Sequence, residues 1–269
     1  MKEEIILSEL IKLFKSTLED TALNENDIQR FLESNTELIS TPFLLNHHLH
    51  LNVLISKFKI SDGLISDFAY LTKSSDFWNL VLVELEDPKK KIFTSSKEQI
   101  KFHSEFNHAM DQILEWKGYI EQNSEEIKRR IDPLKTPLKD RPIRFKYVLI
   151  YGRNNEKEVD LRKTRMFAQK TTDDVRVMTF DSLISEFGYS RYKYRKMILS
   201  HWREGYKIKS VPSKIETSIF AYLDPSILKL ETEQRKELIE QNYDIEKWEQ
   251  GSRLSFNGRY VSIEDAIKK

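Results

Sequence analysis

Apolar residues recur at Ile5, Leu7, Leu10, Ile11, Leu13, Phe14 and Leu18, with polar residues between them. This spacing predicts an amphipathic helix from Glu4 to about Leu18. Asn26 is placed to cap a second helix carrying Ile28, Phe31 and Leu32, and Ser34 with Glu37 forms a capping-box pattern for a short turn. From Leu49 the period shortens. Lys57-Phe58-Lys59-Ile60 alternates, Asp62-Gly63 is a hairpin turn signal, and Leu64 to Leu71 is the return strand. After a polar turn, six of the eight residues from Trp78 to Leu85 are apolar, the pattern of a strand buried on both faces. The pattern therefore predicts a three-strand antiparallel meander with this last strand central.

Further on, Ser96 is placed to cap a long helix to about Arg130, with Ile100, Phe102, Phe106, Ala109, Ile113, Trp116 and Ile120 as its stripe. Pro133, Pro137 and Pro142 mark a rigid connection. Phe145–Tyr151 reads as a buried strand, Val159–Lys170 as a helix, Val175–Phe180 as a strand, and Asp181 as the cap of a helix through Ile184. The order predicts an α/β or α+β fold, a mixed sheet flanked by helices. Three segments follow: an N-terminal helix at 1–24, a sheet-centred core at 25–188 and a C-terminal appendage at 189–269. The appendage carries a helix over Glu231–Gln241 and a small hairpin at Asn257-Gly258.

Composition narrows the chemistry. Hydrophobic residues make up 39% and charged residues 32% of 269, enough for a sizeable core. Net charge is +1, from 44 basic and 43 acidic side chains, so nucleic-acid or membrane binding needs a local patch. There is no cysteine, which excludes disulfides and thiolate metal sites. The N-terminus lacks a signal peptide's continuous apolar core, and no run reaches membrane-spanning length. The expectation is a soluble, cytoplasmic protein with no membrane partner.

The candidate chemistry lies where the central strand meets solvent. Strand alternation puts Trp78, Leu80, Leu82, Glu84 and Glu86 on one face. Ile65, Asp67, Ala69 and Leu71 share a face of the neighbouring strand, so Asp67 can lie beside Glu84. Converging carboxylates repel, and one is pushed to protonate unless a cation neutralises them. A hard divalent ion such as Mg²⁺ does this with oxygen ligands. The alternative is a surface ion pair between Glu84 or Glu86 and Lys89, Lys90 or Lys91.

An acid on one strand, an acidic pair ending the next and a long helix after it resemble the PD-(D/E)xK nuclease superfamily. More closely, "FLESNTELI" from Phe31, "ISDFAYL" from Ile65, "WNLVLVELEDPKKKIF" from Trp78, "HAMDQILEWKGYI" from His108, "YVLIYGR" from Tyr147 and "VRVMTFDSLI" from Val175 resemble, in order, the Shedu (SduA-type) anti-phage defence domain. The resemblance covers about residues 27–184. It implies a restriction-endonuclease-like core and a nuclease dependent on Mg²⁺ or Mn²⁺ that acts on phage or plasmid DNA, and it implies a homo-oligomer. Carried over by position, Asp67 and Glu84 hold the ion. Gln112 orients water or phosphate, and Glu33 is an acid pointed at the metal from an early helix. Glu86 stands where the pattern has lysine, and is expected to serve as third ligand or general base. That departure keeps open a non-cleaving DNA-binding or sensing module of the same fold.

Lys89, Lys90, Lys91, Arg153, Arg191, Lys193 and Arg195 are the candidate nucleic-acid contacts. "RYKYRK" from Arg191 interleaves cations for phosphates with tyrosines for bases, a pattern that a solvated helix face also gives. His47, His48 and His50 have a spacing able to bind Zn²⁺, with no further ligand nearby, and read as a solvated loop. Glycoside hydrolysis by two carboxylates finds no support in so small a meander.

Overall fold

The computed structural model describes residues 2–95, 99–189 and 195–268. Helices α1 (Lys2–Glu19) and α2 (Glu25–Ser34) lead into the meander β1 (Val53–Lys59), β2 (Ile65–Lys73) and β3 (Trp78–Leu85). The long α3 (Ser104–Ile131) returns the chain to β4 (Ile143–Ile150). Then come α4 (Asn155–Glu158), α5 (Leu161–Ala168), β5 (Val175–Met178) and α6 (Phe180–Tyr189). The last third carries β6 (Met197–Trp202), β7 (Gly205–Ser210), α7 (Ile219–Tyr222), β8 (Leu228–Lys229), α8 (Thr232–Glu240), α9 (Ile245–Glu249) and α10 (Ile263–Ile267).

The strands form one mixed eight-stranded sheet in the order β5-β4-β3-β2-β1-β6-β7-β8. β1, β2 and β3 pair antiparallel as a meander. β3, β4 and β5 run parallel, joined by helical crossovers. All eight residues of β3 are buried, as expected of a strand with parallel and antiparallel neighbours and helices on both faces. The segment after residue 189 adds to the same sheet: β6 pairs parallel with β1 through Val53↔Met197 to Ile55↔Leu199. One face packs on α3, α5 and the C-terminal helices through Trp116, Phe167, Phe220 and Trp248. The other packs on α1, α2 and α6 through Phe14, Leu32 and Phe187. Among the described residues no helix is long and apolar enough to cross a membrane.

Four local expectations need correction. The α2 cap is Asn24, two residues earlier than Asn26, in a reciprocal capping box with Asp27. Ser34 does not cap the next turn. Its hydroxyl donates to Arg30 O, and the 3₁₀ turn Thr36–Leu38 is instead tied down by Thr36, whose hydroxyl bonds the backbone of Lys196. Asp181 lies inside the first turn of α6, where its carboxylate receives Arg153 and the Asn154 N–H. The long helix starts at Ser104, with the His103 side chain as its cap, while Ser96 lies outside the described residues. Phe102 instead bridges to Phe93 in extended form and stacks between Phe93 and Phe106 at 5.0 and 4.7 Å. That aromatic packing outweighs the helical period of the preceding residues.

Candidate functional site

The C-terminal ends of β1 and β3 and the start of β2 meet at one edge of the sheet, with α2 on one side and α3 on the other. The β2–β3 ladder ends at Phe68↔Val83. At the next position the Asp67 side chain takes over from the backbone: its Oδ2 accepts the Leu85 N–H at 2.8 Å. This pins the carboxylate to β3 beside Glu84. Asp67, Glu84 and Glu86 are each buried, at 5%, 8% and 8% exposure.

Glu84 Oε1 accepts from Gln112 Nε2 of α3 at 2.6 Å, while its Oε2 is sealed from solvent without a partner. Burial pushes the Glu84 carboxyl up to about 9, and the nearby charges of Asp67, Glu86 and Glu25 add to the rise against the Gln112 bond. Burial also raises Asp67, opposed by Lys57, whose Nζ lies 2.5 Å from Asp67 Oδ1. Glu86 is paired with Lys90 Nζ across the turn that follows β3. One of the three lysines after Pro88 therefore does reach back to the acids.

Two members of the cluster escaped sequence reasoning. Glu25, in the first turn of α2, is pushed up to about 7, first by burial and then by Asp67 and Glu86. It reads in sequence as an ordinary acidic helix start. Lys57 sits opposite Asp67 in the β1–β2 hairpin, between the pairs Ser56↔Phe68 and Phe58↔Ser66. Counting outward from Asp62-Gly63 would have found it. Its φ of 50° places it in the left-handed region within a strand.

The other expected residues have varied surroundings. Glu33 projects from the far end of α2, where it accepts from Ser56 and is held by Lys209 Nζ at 2.7 and 2.8 Å. It contributes charge at Asp67 rather than a direct contact. Lys89 donates to the carbonyls of Thr21 and Leu23, tying the α1–α2 turn to the β3 exit, and Lys91 is exposed. Arg153 makes a two-pronged pair with Asp181, and Arg195 pairs with Glu37 at 3.1 Å, so both are engaged within the fold. Arg191 and Lys193 lie outside the described residues. His50 is buried, bonded through Nε2 to Leu134 O and set edge-on to Trp78, a core role that burial enforces by holding its pKa down to about 3.

Among the described residues, no three His, Asp or Glu side chains form a ready ligand set, and Lys57 and Lys90 each engage one of the acids, Asp67 and Glu86. The donors nonetheless suit a hard cation. They are carboxylate oxygens, one of them orphaned, in a cluster that burial and mutual repulsion make costly to ionise without added positive charge.

A family model described as Shedu protein SduA, C-terminal, matches residues 22–184, more than half of the chain. No curated protein matches it. The chain belongs to the Shedu family, a family of anti-phage defence.

Proposed function

We propose that this Shedu-family chain is a DNA nuclease of the PD-(D/E)xK type, dependent on Mg²⁺ or Mn²⁺ and acting in defence against phage. The observation that carries this reading is the buried Glu84 carboxyl, fixed by Gln112 next to Asp67 with one oxygen left unpartnered. Asp67 and Glu84 would hold the ion, with Glu86 as third ligand or base. When bound, such an ion polarises a phosphoryl oxygen and lowers the pKa of its water. Gln112 fixes the orientation of Glu84. Lys57 and Lys90 keep the acids neutralised in the ion-free protein, and either ammonium can turn to a phosphate oxygen once it is released. Glu25, poised near neutrality, can accept a proton at the site's α2 side.

The test is plasmid cleavage with Mg²⁺, Mn²⁺ or chelator, repeated with Asp67→Ala and Glu84→Ala. Cleavage that needs the metal and drops by about 10² or more in both variants supports the enzyme. The two internal lysine–carboxylate pairs favour a second reading, a DNA-binding module that does not cut. DNA binding without cleavage under either metal would establish that reading.

A further inference from the structure

Among the described residues, the apolar cluster beneath α1, α2 and α6 runs along β6 only as far as Ile198. Beyond it, alternation turns Ser200 and Trp202 of β6, Lys207 and Lys209 of β7, and Lys229 of β8 toward the same face, where Trp202, Lys207 and Lys229 are half-buried and Lys209 is exposed. Their partners across the sheet agree, with Ser200 opposite Lys207 and Lys207 opposite Lys229. The opposite-facing residues Met197, Leu199, Tyr206, Ile208 and Leu228 all lie in the α3-side core. At the β6–β7 turn the half-buried Trp202 ring has the Arg203 guanidinium 4.6 Å and the Lys229 ammonium 4.9 Å from its centre.

We propose that this face binds single-stranded DNA, with Trp202 as a stacking platform for a base and Arg203, Lys207 and Lys229 as phosphate contacts. The proposal rests on the nuclease reading and deepens it by locating how substrate is held. Cations ringing a partly exposed indole match the two things a single strand offers, a charged backbone and free base faces. A duplex keeps its bases stacked and offers the indole nothing. An arriving base displaces one cation from the ring, and that cation is then free for the adjacent phosphate.

Nearby acids are few. Glu231 stands 3.8 Å from Lys207, Glu33 holds Lys209, and Glu204 is exposed at the turn. Lys209 also reaches Ser56 of β1, so the basic face runs to Glu33, whose charge is felt at Asp67. With strands about 4.8 Å apart, β8 lies about 19 Å from β2 across the sheet, and a strand bound here reaches the acids, which belong to the α3-side face, past the ends of β1 and β2.

The test is a titration of the full chain, in chelator, with a fluorescein-labelled mixed-sequence DNA strand, its duplex and the matching RNA strand. Trp202→Ala is expected to weaken single-strand binding roughly tenfold, with Trp202→Phe recovering most of it. Lys207→Glu combined with Lys229→Glu is expected to weaken it more than about tenfold and to flatten the log K against log salt slope by about 1.4. Arg203→Glu, at an exposed turn, serves as an independent variant, and thermal unfolding confirms that each variant is folded. Single-strand affinity within about twofold of the parent in the double variant, against the counterion-release expectation, overturns the proposal. So does a preference for duplex or RNA that Trp202→Ala leaves untouched. If the parent cleaves plasmid with Mn²⁺ while these variants bind as it does, the surface is refuted and the nuclease stands. If the face binds but no metal supports cleavage, the nuclease is refuted and the surface stands.

Discussion

Glu84, buried, and Glu25, half-buried, are pushed up to about 9 and about 7 chiefly by desolvation, ahead of any neighbour's charge. Each therefore retains in the fold a proton that the unfolded chain, at the ordinary 4.5, gives up. The stability they contribute is whole below 4.5 and is lost as pH rises, through about 7 for Glu25 and about 9 for Glu84. In chelator, the thermal midpoint is expected to fall across that window, and Mn²⁺ is expected to restore it. Glu84→Gln should raise the midpoint at about pH 8, by about 2–4 °C for each kcal/mol of relieved strain. Circular dichroism melts across pH check this; a midpoint that climbs over the window would contradict the assigned shifts. The acids themselves were legible in sequence, since period-two alternation and one turn signal bring Asp67, Glu84 and Glu86 together. Glu25 was not, because its place depends on how α2 crosses the strand ends, a tertiary fact without a local pattern.

At the scale of elements, the turn after β3 carries Lys90 and is held from the next strand. Gly152 sits just past β4 at φ 60°, and a Cβ there would lie 3.0 Å from the Lys90 carbonyl and 3.1 Å from Ile92. Gly152→Ala combines left-handed strain with a backbone clash and is expected to cost more than about 1 kcal/mol. If the turn shifts, Lys90 also loses its grip on Glu86. Denaturant titration reads the first effect; an undiminished midpoint would show that the turn is not clamped there. The meander was readable from Asp62-Gly63 and the runs either side, and the α3 stripe from Phe106 to Ile120 lies buried as its period requires. The start of α3 was not, because Phe102 answers to Phe93 across a bridge rather than to its own helical spacing. Nor was the fate of the last third legible: Met197–Trp202 has no long alternating run, and its place beside β1 is a parallel pairing that no short turn announces.

For the molecule as a whole, the sheet has no natural break at residue 189. Removing residues 195–269 would uncover an edge of β1 and strip Tyr206, Ile208, Phe220, Tyr243 and Trp248 from the α3-side core. Such buried side chains are each worth roughly 1.5–3 kcal/mol, and together they are comparable to the whole margin of a typical fold. The shortened chain is expected to aggregate or remain unfolded, read by solubility and near-ultraviolet dichroism; a soluble, cooperatively melting product would show that the front part stands alone. The β1–β6 seam and the Thr36–Lys196 bonds join positions some 140 to 160 residues apart in the chain. Early and late translation products must therefore meet before β1, with Lys57 at its end, gains its second neighbour. During synthesis the free edge of β1 therefore waits, exposed, until residues 197–199 have left the ribosome to close it.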